Sequence, residues 1–346
     1  MELGYTINNI YKRPSVSKFM DFDFSEMKGK NVLITGGLGF LGSTLSQKLV
    51  NLGANVTIFS RPGKDRKNVK EIESSLKFIE GDLKNVEDIK KSIINQDYLF
   101  HFSWQNDLKK SMKNPIEDVQ NDVIGSLNIL ESCKEKNPNI KIIFSSTVTV
   151  VGLPKKTQSN EEEYEEPLSV YEANKLIVEK YLKIYNKIYG IRTCSLRISN
   201  VFGELQRIDN LNRGVLNFMI GKALRGEKLT VYGEGNFIRD YNYVENYIDA
   251  FLLAALSKKT DGNFYVLGSG QGKTFNEVVE KIKNIVESLT KKKVDITHIP
   301  NPQGENEINK RNFIADYSKF KRDTGWFPKI SFDEGLKKTI EFFVKV

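Results

Sequence analysis

Hydrophobic positions along the chain come in short continuous runs, and between the runs they recur every three or four residues. The first run, NVLITGG from Asn31 to Gly37, reads as a buried strand. Residues 39–52 follow with helical spacing, then NVTIFS (55–60) and LKFIEGDL (76–83) as a second and third strand. A helix over 86–94, a strand at 97–103, a long helix over 115–136 and a strand at 140–146 continue the alternation. A helix over 169–189 and the run IRTCSLRIS at 191–199 complete it. Strands alternating with helices over this length predict an α/β fold built on a doubly wound parallel sheet, because right-handed crossovers cover both faces. After Asn200 the alternation degrades into helices at 213–225, 274–290 and 333–345, a short strand at 295–299 and the turn-rich stretch YGEGNFIRD. This half predicts a smaller, mixed C-terminal lobe over the carboxyl edge of the sheet, with FYVLGSG (264–270) returning to the main sheet as a strand. Residues 1–29 are irregular and polar and read as an arm on the surface, and EEEYEE (161–166) reads as a solvated acidic loop.

ITGGLGFLG places Gly36, Gly39 and Gly42 between the first strand and the first helix. The first glycine permits the tight turn, the second lets a pyrophosphate approach the backbone, and the third allows close helix–strand packing. With Phe40 and Leu41 between them, they form a cradle for a dinucleotide, in the strand–turn–helix context that such a triplet requires. The end of the second strand bears on which dinucleotide. An acid there would bond the ribose 2′-hydroxyl of NAD, but the chain reads Phe59–Ser60–Arg61. A hydroxyl and a guanidinium suit a 2′-phosphate, so NAD or NADP is expected, with Ser60 and Arg61 leaning towards NADP. Asp82, after the third strand, is placed either to contact the adenine edge or to cap the helix that begins near Val86.

SVYEANK holds Tyr171 and Lys175 four residues apart, on one face of the predicted 169–189 helix. A tyrosine ordinarily ionises near pH ~10. A nearby ammonium, together with a nicotinamide's positive charge, is expected to lower that value and make Tyr171 an acid/base group near neutral pH. FSSTVTVVG supplies a partner: Thr147, with Ser145 and Ser146 beside it, sits where the strand leaves the core.

Composition narrows the field. Hydrophobic residues are 39% and charged residues 28% of 346, as in ordinary soluble globular proteins, and no apolar run approaches the ~20 residues of a membrane span. The N-terminal stretch has no continuous apolar core, so no secretory signal is expected. Cys133 and Cys194 form no metal spacing and read as buried free thiols of a reducing, cytoplasmic setting. With two histidines and no clustered ligands, no catalytic metal is expected. The net charge of +8 comes from lysines spread along the chain, without the basic, aromatic-interleaved stripe of a nucleic-acid binder. A mildly positive surface does favour an anionic substrate.

TGGLGFLG (35–42), GDL (81–83), HFSWQ (101–105), SSTVTVVG (145–152), YEANK (171–175), LRISNVFG (196–203), RDYNYVEN (239–246) and GWFPKISFDEGLKKTI (325–340) together resemble the extended short-chain dehydrogenase/reductases of the nucleotide-sugar epimerase/dehydratase family. The resemblance spans residues 30–342. It implies a Rossmann domain that binds NAD(P), over 30–202 and 241–270, and a lobe that binds a nucleotide-diphosphate sugar, over 203–240 and 271–346. It implies a catalytic set of Thr147, Tyr171 and Lys175. Cofactor contacts are implied for Leu83, Phe102, Ser103 and Ser145 besides those above, and for Tyr171 and Lys175 themselves. Substrate contacts are implied for Gln105, Thr147, Asn200, Arg239 and Arg311, the last three clamping the diphosphate.

The shared step of the family is hydride transfer from the sugar's C4 carbon to the nicotinamide. A 4,6-dehydratase of this kind needs an Asp–Glu pair directly after the threonine, and here those positions are Val148 and Thr149. The expected activity is therefore a nucleotide-sugar 4-epimerase, with an NADPH-dependent ketosugar 4-reductase as the alternative. Dehydratase, decarboxylase and non-catalytic NADP-binding readings stand behind these. Departures from the family pattern are Val151, where tyrosine is usual, and the missing acid after the second strand. The resemblance further implies a homodimer through helices 115–136 and 169–189, with Leu127, Leu130, Leu176 and Tyr185 as candidate contacts. The lysine- and asparagine-rich composition points to an AT-rich bacterial source and a surface-polysaccharide pathway.

Overall fold

The structure is a computed structural model that describes residues 22–301 and 311–345. Its main sheet contains β1 (Asn31–Thr35), β2 (Asn55–Ser60), β3 (Leu76–Glu80), β4 (Tyr98–His101) and β5 (Lys141–Thr147). After the short β6 (Gln158–Ser159) come β7 (Arg192–Ile198), β8 (Asn200–Phe202), β9 (Leu229–Tyr232), β10 (Ile238–Tyr243) and β11 (Asn263–Leu267). The sheet has seven strands in the order β11-β7-β5-β4-β1-β2-β3, all parallel. The order reverses at β1, so the crevice between the carboxyl ends of β1 and β4 is where such a sheet binds a ligand.

Side chains alternate as the pleat requires. Val32 and Ile34 of β1 join one buried cluster with Leu45, Phe100, Ile143 and Phe251. Leu33, between them, joins the opposite cluster with Leu99, Ile142, Phe144, Val178 and Leu182. Helices α1 (Phe40–Asn51), α2 (Val86–Ser92), α3 (Leu108–Lys113) and α4 (Pro115–Asp118) precede a π-helical segment, Val119–Ile124, and α5 (Gly125–Lys136). Together α4, the π segment and α5 form the predicted 115–136 helix. α6 (Val170–Tyr189) packs on β5 and β7, and α7 (Val215–Leu224) belongs to the second lobe. α8 (Val244–Leu256) returns to the main sheet beside α1. Periodicity does not reveal α8, because VENYIDAFLLAAL is buried nearly all round and carries no one-sided stripe.

In the second lobe, β12 (Gly272–Thr274) joins β10 and β8. α9 (Phe275–Thr290) begins with a full capping box between Thr274 and Glu277. β13 (Ile296–Ile299) pairs with β9, β14 (Ile314–Ala315) pairs with β6, and α10 (Ser318–Thr324) and α11 (Phe332–Lys345) close the chain. Asp240, on β10, ties the turns after β7 and β11 of the main sheet to β14: its carboxylate accepts from the amides of Ser269, Gly270 and Ala315 and from the Ser199 and Ser269 hydroxyls.

Two sequence expectations are corrected here. The predicted arm reaches less far than residue 29, because Phe24 and Met27 are buried in the core beside α1; residues 1–21 lie outside the described residues. The acidic stretch 161–166 is solvated at Glu162, Tyr164 and Glu166 but not at the alternate positions Glu161, Glu163 and Glu165. Glu161 accepts from the Val266 amide at 2.8 Å, Glu163 from the Lys155 amide, and Glu165 pairs with Arg197 and Lys180. Local composition does not reveal such partners, of which Val266 and Arg197 lie in β11 and β7.

Candidate active site

The glycine turn is built as its spacing predicts. Gly36 has φ +71°, and a Cβ there would stand 2.7 Å from the Ser103 amide nitrogen at the end of β4. Gly42 is buried against the backbone of Gly36 and Gly37, leaving no room for a side chain. Gly39 is exposed and sits at the N-cap of α1, so the helix presents free backbone amides beside Phe40 and Leu41. Ser60 and Arg61 end β2, half-buried and exposed respectively. Asp82 does not cap α2: Asn85 does, accepting from the Glu87 amide, while Asp82 bonds the Lys84 amide at 2.9 Å. Leu83 packs against Gly125.

At the end of β4, a chain of hydrogen bonds fixes the crevice floor. His101 Nδ1 meets the Thr35 hydroxyl at 2.7 Å and Nε2 meets Ser126 Oγ at 2.9 Å. Ser126 donates to the Asp122 carbonyl, so His101 Nε2 carries the proton and Nδ1 accepts. Burial, with the nearby Lys175 charge, pushes this imidazole down to about 3, so it stays neutral and structural. Thr35 Oγ1 also accepts from the Ser103 amide, which places Phe102 and Ser103 on the crevice wall.

Lys175, on α6, reaches the end of β5, where its Nζ donates to the Ser145 carbonyl at 2.6 Å, two residues before Thr147. Its ammonium lies 3.9 Å from the Trp104 ring centroid, 4.6 Å from that of Phe144 and 6.0 Å from that of Tyr171. Burial holds Lys175 below the usual ammonium range. Thr147 Oγ1 pairs with Thr149 Oγ1 at 2.9 Å and accepts from the Thr149 amide. Val148 points the other way, into a buried apolar cluster with Val150, Val151, Val266, Phe313 and Ala315. Within the chain by itself the Tyr171 hydroxyl is pushed up, opposite to the lowering expected beside a nicotinamide's charge. Burial is the main cause, and the carboxylates of Glu172, Asp122 and Asp118 add to it.

Two predicted substrate ligands are already committed within the chain. Arg311 is buried, donating to the Gly152 carbonyl and, at 3.0 Å, to Glu172 Oε1. Gln105 donates to the Asp107 carbonyl and to Asp118, and accepts from the Asp107 amide. Asn200 is exposed at the start of β8 and donates to the Asp240 carbonyl at 3.2 Å. Arg239 lies over the Phe237 ring at 4.8 Å. Burial, reinforced by the positive charge of Arg311, draws it down to about 10. Arg239 Nη1 donates to the Ile238 carbonyl at 3.2 Å.

A model of the GDP-mannose 4,6 dehydratase family matches residues 33–339. The chain belongs to this family. Its members are the extended short-chain dehydrogenase/reductases, nicotinamide-dependent enzymes. It is similar to the UDP-glucose 4-epimerase of Thermotoga maritima solved with UDP-glucose, at 32% identity and a TM-score of 0.81, over 91% of this chain and 99% of that one. It is similar as well to the Thermus thermophilus UDP-glucose 4-epimerase solved with NAD, at 29% identity and a TM-score of 0.80, with the same coverage. UDP-glucuronic acid decarboxylase 1 of Danio rerio is 30% identical, over 99% of this chain and 77% of that one. Epimerases and a decarboxylase thus stand at nearly equal distance.

The family's dinucleotide fits this chain: a bare helix N-terminus faces an exposed Gly39, and Gly36 and Gly42 leave no space for side chains that would fill the cradle. Sequence reasoning missed Trp104, Asp118, Asp122 and Glu172 as parts of the site. Trp104 and Glu172 lie inside HFSWQ and YEANK, so attention to every position of those motifs would have found them. The aspartates share the buried face of the 115–136 helix with Ser126, Ile129 and Cys133, but nothing local showed that their partners would be Gln105 and Asn174. Among the described residues no group of His, Cys, Asp or Glu is placed to hold a metal ion, and no helix is long and apolar enough to cross a membrane.

Proposed function

We propose that this chain is a nucleotide-sugar 4-epimerase in which Tyr171 and Thr147 hold the C4 oxygen of the sugar. When bound in the cradle, a nicotinamide cofactor supplies reversible oxidation at C4. Tyr171 takes the C4 hydroxyl proton and later returns it to the same oxygen, while Thr147, backed by the Thr149 hydroxyl, keeps that oxygen in place. Lys175, with its ammonium 6.0 Å from the Tyr171 ring centroid, and the cofactor's positive charge would favour the phenolate against the burial and carboxylates that push the hydroxyl up. Epimerisation asks nothing more of the chain than this set, used twice on opposite faces of the ring.

The observation that carries the reading is the fate of positions 148 and 149. Eliminating water needs an acid and a base beside the C4 site. Val148 is sealed into an apolar cluster, and Thr149 is spent on Thr147. The nearest carboxylates are engaged: Glu172 with Arg311 and the Leu168 amide, Asp122 with the Gln105 amide, and Asp118 with Gln105 and Asn174. The test is proton NMR of purified enzyme with UDP-glucose, UDP-N-acetylglucosamine and UDP-glucuronate. Appearance of a 4-epimer of unchanged mass supports the reading; loss of water or carbon dioxide overturns it.

An exposed Arg61 at the end of β2, with no acid beside it, favours a second reading, an NADPH-dependent ketosugar 4-reductase. Denaturing the protein and identifying the released nucleotide separates the two. Stoichiometric NAD supports the epimerase; an empty protein that prefers NADPH supports the reductase. For the diphosphate, Asn200 and Arg239 are the proposed ligands, with Arg311 able to join only by leaving Glu172.

The proposed dimer uses a different surface from the four residues expected. Leu130 and Tyr185 are buried in the chain's own core, and Leu127 and Leu176 pack against it. The exposed stripe is Ile177, Ile184 and Ile188 on α6 with Ile116 and Ile124 on the neighbouring helix. Elution at the mass of one subunit would remove the dimer.

A further inference from the structure

Lys175 is walled in on sides that the proposed reaction does not account for. Trp104 lays its indole 3.9 Å from the ammonium and stands 5.4 Å from the Phe144 ring. Buried indoles usually donate their N–H, yet Trp104 Nε1 is buried with no acceptor. The ring faces, not a hydrogen bond, therefore hold this side chain where it is. The backbone beside it is fixed from the π segment: both Asp122 oxygens accept from the Gln105 amide, at 3.1 and 3.3 Å. Gln105 is fixed again by Asp118 and Asp107. Asp122 is thus the clamp that aims Trp104 at Lys175, and it is a buried carboxylate close enough to act on the ammonium.

We propose that Trp104 and Asp122 are positioning residues for Lys175, the indole pressing the ammonium onto the Ser145 carbonyl and the buried carboxylate supplying its counter-charge. The proposal deepens the reading in which Lys175 serves Tyr171, and rests on it for the catalytic consequence alone. An ammonium against aromatic faces keeps its direction while losing water, so its charge becomes sensitive to one counter-ion. The titratable groups facing it are few. Asp122 faces it from the π segment, Tyr171 and Glu179 from its own helix, and His101 from β4. Glu179 is held by Arg197 and Ser146, and His101 stays neutral. Asp118 and Arg61 act at one remove, through Asp122. Burial pushes Asp122 up and Lys175 down, each to about 7, so the charge of either one is sensitive to the other near neutral pH.

The test is fluorine NMR of the full chain carrying 5-fluorotryptophan. Trp104 and Trp326 are the two tryptophans, and Trp104→Phe assigns the signals. The Trp104 resonance is expected to titrate near neutral pH, to stop titrating in Lys175→Met, and to move its midpoint to lower pH in Asp122→Asn, which removes the counter-charge. A resonance flat from pH 5 to 10 in the unmutated chain, or a transition that survives Lys175→Met, overturns the proposal. In turnover, Trp104→Leu is expected to displace the pH profile of kcat with little change in KM; a uniform fall without displacement overturns the catalytic consequence. If no nucleotide sugar is turned over but the fluorine titration behaves as described, the proposed function fails and the positioning stands.

Discussion

Among the cations buried along α6, the chain treats Arg197 and Lys175 in opposite ways. Arg197, on β7, is fully buried and held by two carboxylates: Glu179 bonds it through both oxygens, Glu165 adds a further pairing, and the Phe264 ring lies under it, with Nη1 alone left without an acceptor. Lys175, one turn before Glu179, is buried among aromatic rings with one main-chain carbonyl as its acceptor in hydrogen-bond range. The carboxylates raise Arg197 further above its usual range despite burial, whereas Lys175 falls below its own. A buried charge paired with carboxylates from two segments serves as a tie between elements. One left underpaired keeps a charge that a ligand can still use.

Substitutions separate the two roles, beginning with the largest effect. Lys175→Met and Tyr171→Phe are each expected to cut turnover about a hundredfold or more while leaving a folded protein, measured as kcat beside far-ultraviolet circular dichroism. Equal loss of folding in Lys175→Met would make this lysine a tie like Arg197. Glu179→Gln leaves Arg197 short of a charge and is expected to destabilise the fold by about 3 kcal/mol in urea unfolding. A neutral result there would break the contrast from the other side.

The pH dependence of stability sharpens it. Lys175 is held at about 7 in the fold and titrates near 10.5 when unfolded. Between those values the unfolded chain binds the extra proton, so this group's contribution to stability rises as pH rises from about 7 to about 10. The Tm of Lys175→Met should therefore exceed that of the parent most near neutral pH and approach it near pH 10. Arg197 remains charged throughout and gives no such slope. The smallest effect is expected at the cofactor: Arg61→Ser should change the ratio of NADPH to NADH affinity about tenfold, measured by quenching of protein fluorescence.

Some of this was legible along the chain because its physical cause is local. The doubly wound sheet followed from the spacing of apolar runs, and the turn at Gly36 from the one residue type that accepts φ +71° without a side chain. Ser60 and Arg61 could be placed at the end of β2 for the same reason. What stayed hidden depends on partners far away in sequence. Arg311 looked like a free guanidinium until Glu172, 139 positions earlier, was found beside it. Glu161 looked solvated until the Val266 amide arrived from another strand. The direction of the Tyr171 shift required knowing how deeply it is buried and which carboxylates surround it. The sequence by itself determined the fold class, the order of the motifs and the residue types available for chemistry, because helical and strand periods and glycine's conformational freedom act within a few residues. Only the tertiary structure decided which charges are paired, which face of α6 stays exposed, and that Trp104 lies on Lys175. Burial and electrostatic pairing are set by what the folded chain brings within a few ångströms, and no local pattern encodes that.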